Sequence, residues 1–322
     1  MDKALKFAGM AAIITVAMGA MPAAAQNFPT RAIRFIVPST PGTSSDVVAR
    51  VLAAPMSRIL GQPIVVENKA GAEMTNAFDF VAKQMPADGY TLVTASSTNL
   101  AMLSLNAKDL RFDPLNDLPP VIGVVETRLV VGSSSVVPWK TFAELVAHAK
   151  GNPGKLNYGA SSPSIHLLME MIVRKTGLEI IHIPYTGGAA YIQALAAGSD
   201  IHLGSISEPI AVGLGERFRV LAVTGEKRSA KMPGVPTLAE LGFPKIPGLP
   251  YSVNIRAGTP APIVQKLYAA ATQSLQQADI RALFEKGNYV VTNEGPEVAA
   301  KALAEQAVLF ADLFKQFGFS VK

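Results

Sequence analysis

The spacing of hydrophobic and polar residues changes along this chain between two patterns that follow each other in turn. Short apolar runs of four or five residues are followed by longer segments in which apolar side chains recur every three or four positions, the patterns of buried strands and amphipathic helices. In the first hundred residues the predicted order is strand 33–37, helix 44–60, strand 64–67, helix 78–84 and strand 90–94. This βαβαβ order predicts a parallel sheet covered by helices.

The same alternation continues and predicts a second unit of the same type. Its predicted elements, strands and helices in turn, are 129–132, 141–150, 156–158, 164–176, 180–183, 189–197, 201–205 and 220–224. A connection rich in proline and glycine follows over 231–258, and three more helices are predicted near 260–277, 279–287 and 296–316. Two consecutive α/β units indicate an α/β protein with two similar lobes.

The first 26 residues have the pattern of a secretory signal peptide. Lys3 and Lys6 precede an apolar run over 7–18, and three alanines at 23–25 offer a cleavage site. The run is too short for a membrane-spanning helix, which needs about 20 residues. The chain contains no cysteine, which excludes disulfides, thiolate catalysis and a lipid-bearing cysteine. We therefore expect a soluble periplasmic protein, without a lipid anchor, after cleavage near residue 26.

The charges of the chain exclude some classes of partner. There are 29 Lys and Arg against 24 Asp and Glu, a net charge of +5, and they are scattered without a basic run. This pattern does not favour nucleic-acid binding. The four histidines show no metal-ligand spacing, and no phosphate-binding or dinucleotide-binding glycine motif is present. We expect no cofactor, no metal and no enzymatic activity.

Serine, threonine and glycine concentrate where predicted strands end. In open α/β sheets, ligands bind beyond the carboxyl ends of the strands. Four such loops cover 38–46, 95–99, 159–164 and 184–188, and three run directly into a predicted helix, whose start offers unpaired N–H groups and partial positive charge. We therefore predict a site for a carboxylate. The candidate ligand-binding residues in these loops, and just after one of them in the case of His166, are Ser39, Thr40, Gly42, Thr43, Asp46, Ser96, Ser97, Ala160, Ser161, Ser162, Ser164, His166, Tyr185, Thr186 and Gly187.

Other interpretations of these residues stay open. Serine, threonine and glycine are also ordinary turn and cap residues, and Asp46 has an alternative role at the start of its helix. Ser161 and His166 form a possible hydrolase pair, but no orienting acid is evident, and Pro163 departs from the nucleophile-elbow motif.

Many ordered segments resemble one protein family, the Bug-type solute receptors of tripartite tricarboxylate transporters. The resemblance covers nearly all of the chain after the signal. The matching segments include 33–38, 41–42, 46–50, 61–68, 86–92, 152–159, 182–188, 221–224, 235–240 and 257–263.

The resemblance implies a two-lobed, type II periplasmic-binding-protein (Venus-flytrap) fold, with a mainly parallel sheet flanked by helices in each lobe. We predict that residues 27–126 and 252–322 form the first lobe and residues 127–251 the second. It also implies that loops 39–43 and 160–164 hold a ligand carboxylate. The implied partners are a small carboxylate and the membrane subunits of such a transporter, with a sensor kinase as the alternative. A monomer is expected.

This chain departs from the family pattern at informative positions. Thr43 stands where a second glycine is usual, and residues 73–75 replace a glycine-rich run. Gly204 and Ser205, also candidate ligand-binding residues, stand where many relatives have Asp-Asn. Loss of that aspartate argues against an amino-acid ligand and implies freed volume, so an aromatic or bulky dicarboxylate is expected. Arg128 and Tyr191 are candidates for its far end.

Overall fold

The computed structural model describes residues 27–105, 108, 110–185 and 187–318, so the predicted signal peptide lies outside the described residues. The strands are β1 Ile33–Val37, β2 Ile64–Asn68, β3 Thr91–Ser96, β4 Pro120–Thr127, β5 Leu129–Ser134, β6 Leu156–Ala160, β7 Ile180–Pro184, β8 Gly204–Ser207, β9 Phe218–Val223, β10 Leu249–Ile255 and β11 Val290–Glu294. The α-helices are α1 Ser44–Leu60, α2 Thr75–Asp79, α3 Ser97–Ser104, α4 Phe142–Gly151, α5 Pro163–Thr176, α6 Gly188–Ala197, α7 Glu208–Leu214, α8 Ala261–Leu275, α9 Ala278–Lys286 and α10 Pro296–Phe317.

The first lobe is built on a six-stranded sheet with the order β11-β4-β10-β3-β1-β2. Strand β1 pairs in parallel with β2 and β3, while β10 runs antiparallel between β3 and β4, and β11 is antiparallel to β4. Every residue of β3 is buried because helices cover both faces of the sheet, as expected for a central strand. Helices α1, α3, α8 and α10 pack against these strands and against one another.

The second lobe contains a three-stranded antiparallel sheet, β8-β5-β9, and a parallel pair, β6-β7. A parallel bridge between Tyr158 and Leu203 links the two. The two-lobed α/β fold is thus as predicted, but the first sheet is mixed in strand direction and the three-stranded sheet of the second lobe is wholly antiparallel. In the first sheet, β4 leads the chain out and β10 brings it back, so these neighbours run antiparallel.

The chain leaves the first sheet at Thr127 and enters the second lobe at Leu129, and it re-enters the first sheet at Leu249. Two strands that connect the same two lobes provide a natural hinge between them. The lobe boundaries given above from the sequence stay a prediction.

Helix ends follow the local sequence. Helix α1 ends at Gly61, whose φ of 71° suits glycine because it has no Cβ, and α5 ends in the same way at Gly177, with a φ of 65°. Thr141 caps α4 by accepting a hydrogen bond from the N–H of Glu144. The buried face of α1 includes Val48 and Leu52, and full burial of each such side chain stabilises the fold by about 1.5–3 kcal/mol.

Several elements differ from the sequence-based prediction. The predicted helix over 78–84 is a short α2 continued by a π-helix over Phe80–Gln84. The predicted strand over 201–205 begins only at Gly204, because the N–H of His202 donates to the side chain of Asn157 rather than to a strand. Across the part of the chain that the structure describes, no helix combines the length and apolarity needed to cross a bilayer.

Candidate ligand-binding site

A cavity of about 710 Å³, counting the part open to solvent, lies between the two lobes. The first lobe contributes the loops after β1 and β2 and the start of α3, and the second contributes the starts of α5, α6 and α7. We call this space the cleft cavity. Its lining residues are Pro38, Ser39, Thr40, Thr43, Ser44, Ser45, Ala70, Gly71, Glu73, Met74, Asn99, Leu129, Ser161, Ser162, Ser164, Ile165, Gly187, Gly188, Tyr191, Ile192, Ile206, Ser207, Ile210, Leu249 and Tyr251.

The loop after β1 is held in shape by its own hydroxyl groups. The Oγ1 of Thr43 donates to the carbonyl oxygen of Thr40 at 3.0 Å and lies 2.5 Å from the Oγ of Ser39. Gly42 adopts a φ of 83°, which turns its N–H back toward Asp46. These bonds keep Ser39, Thr40 and Thr43 facing the cavity at the start of α1.

Asp46 fixes this loop from behind and does not line the cavity. Its carboxylate accepts bonds from the Gly42 N–H at 3.0 Å, from Arg50 at 2.9 Å and from Asn68 at 2.9 Å. Burial alone acts to raise the pKa of the Asp46 carboxyl, but the bonds from Arg50, Gly42 and Asn68 outweigh it, and the pKa is lowered. Asp46 is therefore ionised at neutral pH and acts as a positioning residue.

In the second lobe, two helices begin at the cavity wall. Ser162 is the N-cap of α5, and its Oγ lies 3.5 Å from the N–H of Ile165 and 3.2 Å from the Oγ of Ser164. Pro163 is preorganised for the first turn of the helix. Helix α6 begins at Gly188, next to Gly187 on the same wall. The wall therefore presents hydroxyl groups together with the positive ends of two helix dipoles.

Hydrogen bonds between the lobes bring these helix starts against the first lobe. The Thr40 Oγ1 accepts from the N–H of Ala189 at 3.1 Å, and the Asn99 Oδ1 accepts from the N–H of Ser164 at 3.3 Å. Two buried hydroxyl oxygens, those of Ser44 and Ser207, lie 2.7 Å apart. The lobes are thus in contact around the cavity, in a closed arrangement.

The close approach also requires glycine at one position. A Cβ added to Gly188 would lie only 2.9 Å from the Cγ2 of Thr43 in the opposite lobe. A side chain at Gly188 would therefore press on Thr43 of the opposite lobe, and one of the two sides would have to shift.

The charge of the cavity wall is unusual for a site that we expect to bind an anion. Glu73 is the one charged side chain among the lining residues that the structure describes. Much of the remaining wall is apolar, including Met74, Ile165 and Ile192. An anion in this cavity must therefore be held by hydroxyl groups, backbone N–H groups and helix dipoles rather than by Lys or Arg.

Glu73 lies in a turn with left-handed backbone geometry. Ala72, Glu73 and Met74 have φ values of 44°, 50° and 77°, directly after Gly71 with 125°. Left-handed geometry costs a residue with a Cβ about 1–2 kcal/mol. The turn is closed by a bond from the Met74 N–H to the Gly71 carbonyl oxygen at 3.0 Å. Such strain is concentrated at functional positions of proteins.

Tyr191 fills the space beside Gly204 and Ser205. Its hydroxyl donates to the carbonyl oxygen of Ser205 at 2.7 Å and accepts from the Ser205 N–H at 2.8 Å. A Cβ on Gly204 would lie 2.3 Å from that hydroxyl oxygen. Burial raises the pKa of the Tyr191 phenol, so it stays neutral. The sequence-based expectation that Gly204 frees volume for the ligand is therefore wrong, because Tyr191 occupies that volume.

Eight of the predicted site residues lie on the cavity wall within the described chain, namely Ser39, Thr40, Thr43, Ser161, Ser162, Ser164, Gly187 and Tyr191. Thr186 lies outside the described residues. The structure places the other predicted site residues off this wall: Gly42, Asp46, Ser96, Ser97, Ala160, His166, Tyr185, Gly204 and Ser205.

Local packing explains the residues that lie off the wall. Ser96 and Ser97 are buried where β3 passes directly into α3. His166 stacks on His182 with ring centroids 4.2 Å apart, away from the cavity, so the described structure does not join it to Ser161 as a hydrolase would need. Arg128 is also off the wall, where it forms an ion pair of 3.5 Å with Glu208.

Some lining residues were not singled out by sequence reasoning. Asn99 was predicted only as the end of a candidate loop. It accepts the bond from Ser164 across the cleft because it lies at the start of α3, a helix that the sequence pattern did not predict. Ser207 ends β8 immediately before a helix, the same signal that identified the other loops. Tyr251 and Leu249 lie on β10, within a stretch whose prolines predicted an irregular connection instead of a strand.

The family of the chain follows from a match to the model of the tripartite tricarboxylate transporter family receptor, which covers residues 48–318. The chain belongs to this receptor family. Protein BugT of Bordetella pertussis is 32% identical over 311 residues, with 94% of each chain covered. The resemblance inferred from the sequence motifs is thus confirmed.

Solved structures give the same result for the fold. The periplasmic binding protein BugD superimposes with a TM-score of 0.84 at 27% identity, over 92% of this chain and 100% of BugD. An R. palustris protein solved with adipate superimposes with a TM-score of 0.84 at 29% identity, over 91% of this chain and 99% of the other. The two-lobed fold of the receptor family is therefore the fold of this chain.

Proposed function

We propose that this receptor captures a small organic acid in the periplasm and holds one carboxylate of it between the lobes. The observation that carries the proposal is the convergence of the loop after β1 with the starts of α5 and α6 on one cavity without a cationic side chain. The carboxylate would be held by the hydroxyl groups around Ser162 and, from the first lobe, by the Ser39 hydroxyl, while Thr43 fixes the shape of that loop through its bond to Thr40.

The physical chemistry of the wall favours a carboxylate over a neutral group. A carboxylate that leaves water loses several kcal/mol of hydration and requires several donors in return. Hydrogen bonds from hydroxyl and N–H groups to an ionised acceptor are about twice as strong as those between neutral groups. Each helix start adds roughly half a positive charge. Because donors come from both lobes, a bound carboxylate stabilises the closed arrangement.

The apolar part of the wall favours an acid with an aromatic or longer-chain body. Ile165, Ile192, Ile206 and Ile210 line the cavity next to the polar loops. The similar R. palustris protein was solved with adipate, which supports a ligand about as long as adipate. The sequence-based expectation of a dicarboxylate requires a place in the cavity for a second carboxylate. Whether that carboxylate can lie near Glu73 depends on the charge there.

The proposed role is delivery of the acid to membrane subunits of a tripartite tricarboxylate transporter. A ligand that binds the closed form more tightly shifts the population toward it, and a partner can recognise that form. Presentation of the closed form to a sensor kinase is the alternative. Pull-down with the transporter subunits, with and without acid, separates the two: enrichment only with acid supports transport.

A thermal-shift panel tests the proposed function. The panel contains benzoate, terephthalate, adipate, ε-aminocaproate, aspartate and glutamate. We expect a rise in Tm with aromatic or six-carbon acids, since a ligand at a hundred times its Kd stabilises the protein by about 2.7 kcal/mol. Mass spectrometry should recover the acid unchanged. A shift with aspartate or glutamate alone, or conversion of the acid, would contradict the proposal.

A further inference from the structure

Glu73 presents an unpaired carboxylate to the cleft cavity. Its side chain is exposed, and within the described chain it forms no hydrogen bond or ion pair. Exposed carboxylates without a partner also occur elsewhere, as at Glu285, but within the described chain Glu73 is the carboxylate that lies on the cavity wall. A group on the wall of a binding site without a protein partner is available to the ligand.

Sheet order and the bonds across the cleft indicate where Glu73 lies along the cavity. Neighbouring strands β3, β1 and β2 deliver Asn99, Thr40 and Glu73, in that order, to one end of the sheet. Asn99 pairs with Ser164 at the start of α5, and Thr40 pairs with Ala189 near the start of α6. The donors around Ser164 are therefore two strands away from the Glu73 loop, about 10 Å at normal strand spacing, and those of the loop after β1 are one strand away, about 5 Å.

This arrangement gives the cavity two chemically different ends. One end offers hydroxyl and N–H donors, and the other offers a carboxylate, which when ionised only accepts hydrogen bonds. A second carboxylate at the Glu73 end would meet a like charge without a cation to relieve it. A hydroxyl or ammonium group at the same place would donate a charge-assisted hydrogen bond.

We propose that Glu73 favours acids whose far end carries a hydrogen-bond donor, either ammonium or hydroxyl, over acids with a second carboxylate there. This inference rests on the proposed function and replaces the expected dicarboxylate, as the preferred ligand, by an acid with one carboxylate and one donor. Specificity of this kind depends on repulsion of the wrong ligand as much as on attraction of the right one.

The backbone around Glu73 supports a role in selection. Three successive residues with a Cβ adopt left-handed geometry there, although glycine would adopt it without strain. Glycine, however, would provide no side chain to meet the ligand. The turn is fixed by the bond from Met74 to Gly71 and by the Thr75 hydroxyl, which donates to the Ala72 carbonyl oxygen at 2.6 Å, so the carboxylate is presented from a defined backbone.

Titration calorimetry with three acids that share one body tests the inference. The probes are terephthalate, para-hydroxymethylbenzoate and para-aminomethylbenzoate. We expect the wild-type protein to prefer the two donor-bearing acids. Glu73→Gln should weaken the binding of para-aminomethylbenzoate about fivefold and strengthen the binding of terephthalate about fivefold. Changes of this size are typical of a partly exposed charge pair. The control Glu285→Gln removes one exposed negative charge outside the cavity and should change neither affinity.

The outcomes separate this inference from the proposed function. If the acids bind but the ratio of their affinities in Glu73→Gln equals that in Glu285→Gln, the inference is overturned and acid capture stands. If wild type prefers terephthalate, the inference is likewise overturned. If none of these acids and none of the thermal-shift panel bind, both are overturned.

Discussion

Replacing Ser162 by aspartate should abolish the binding of acids while the protein stays folded. Aspartate is as good an N-cap as serine, and a negative charge at a helix start adds about 0.3–1 kcal/mol of stability. The new carboxylate would, however, occupy the helix start that we assign to the ligand. Two like charges about 4 Å apart repel by about 4 kcal/mol at an effective dielectric constant near 20. Calorimetry should therefore show at least a hundredfold loss of affinity.

Ser162→Asn is the matched control, because asparagine also caps the helix but carries no charge. Its affinity should stay within about tenfold of the wild type, since it exchanges one hydrogen bond for another. Thermal unfolding should show that both variants keep a Tm near that of the wild type. Equal affinities for Ser162→Asp and Ser162→Asn would show that the ligand carboxylate is not at this helix start.

Replacing Thr43 by tryptophan should prevent the lobes from closing. The Thr43 side chain makes no capping bond to α1, so helix stability does not depend on it. Its Cγ2 faces Gly188 of the opposite lobe, where even one added Cβ would come within 2.9 Å. An indole ring in this gap holds the lobes apart, and the donors of both lobes no longer reach one carboxylate. We expect binding below detection in calorimetry.

Small-angle X-ray scattering measures the closure directly. With a bound acid, the radius of gyration of the wild type should fall to that of the closed form, while that of Thr43→Trp should stay larger. Thr43→Ser keeps the hydroxyl group that donates to Thr40 and should close like the wild type. Contraction of Thr43→Trp with the acid, at wild-type affinity, would show that the ligand does not lie between these loops.

The polar ends of strands were the part of the site that sequence could predict. Loops after the parallel strands β6 and β7 reach one side of the second lobe because parallel strands deliver their carboxyl ends to the same edge. The loop after β1 meets them because the two lobes face each other across the cavity. Helix α1 was predicted with its observed bounds, since its apolar period is long and Gly61 ends it. Strand β10 was missed because Pro247 and Pro250 are typical of a connection, although β10 pairs on both sides.

Other features depend on tertiary contacts that leave no local signal. The sequence offers nothing that predicts left-handed geometry at Glu73, because residues with a Cβ rarely adopt it. His166 was a candidate from its position near Ser161, but its stacking on His182 of a different element removes it from the wall. The volume beside Gly204 was expected to be free, and only the packing of Tyr191 shows that it is filled.

The most direct measurement compares an acid with its own amide. Calorimetry would titrate the wild-type protein with para-hydroxymethylbenzoate and with the corresponding primary benzamide, which has the same shape but no charge. If hydroxyl groups, N–H groups and helix starts of both lobes hold a carboxylate, the acid should bind at least a hundredfold more tightly, about 2.7 kcal/mol. Equal binding of the two, or tighter binding of the amide, would contradict the account.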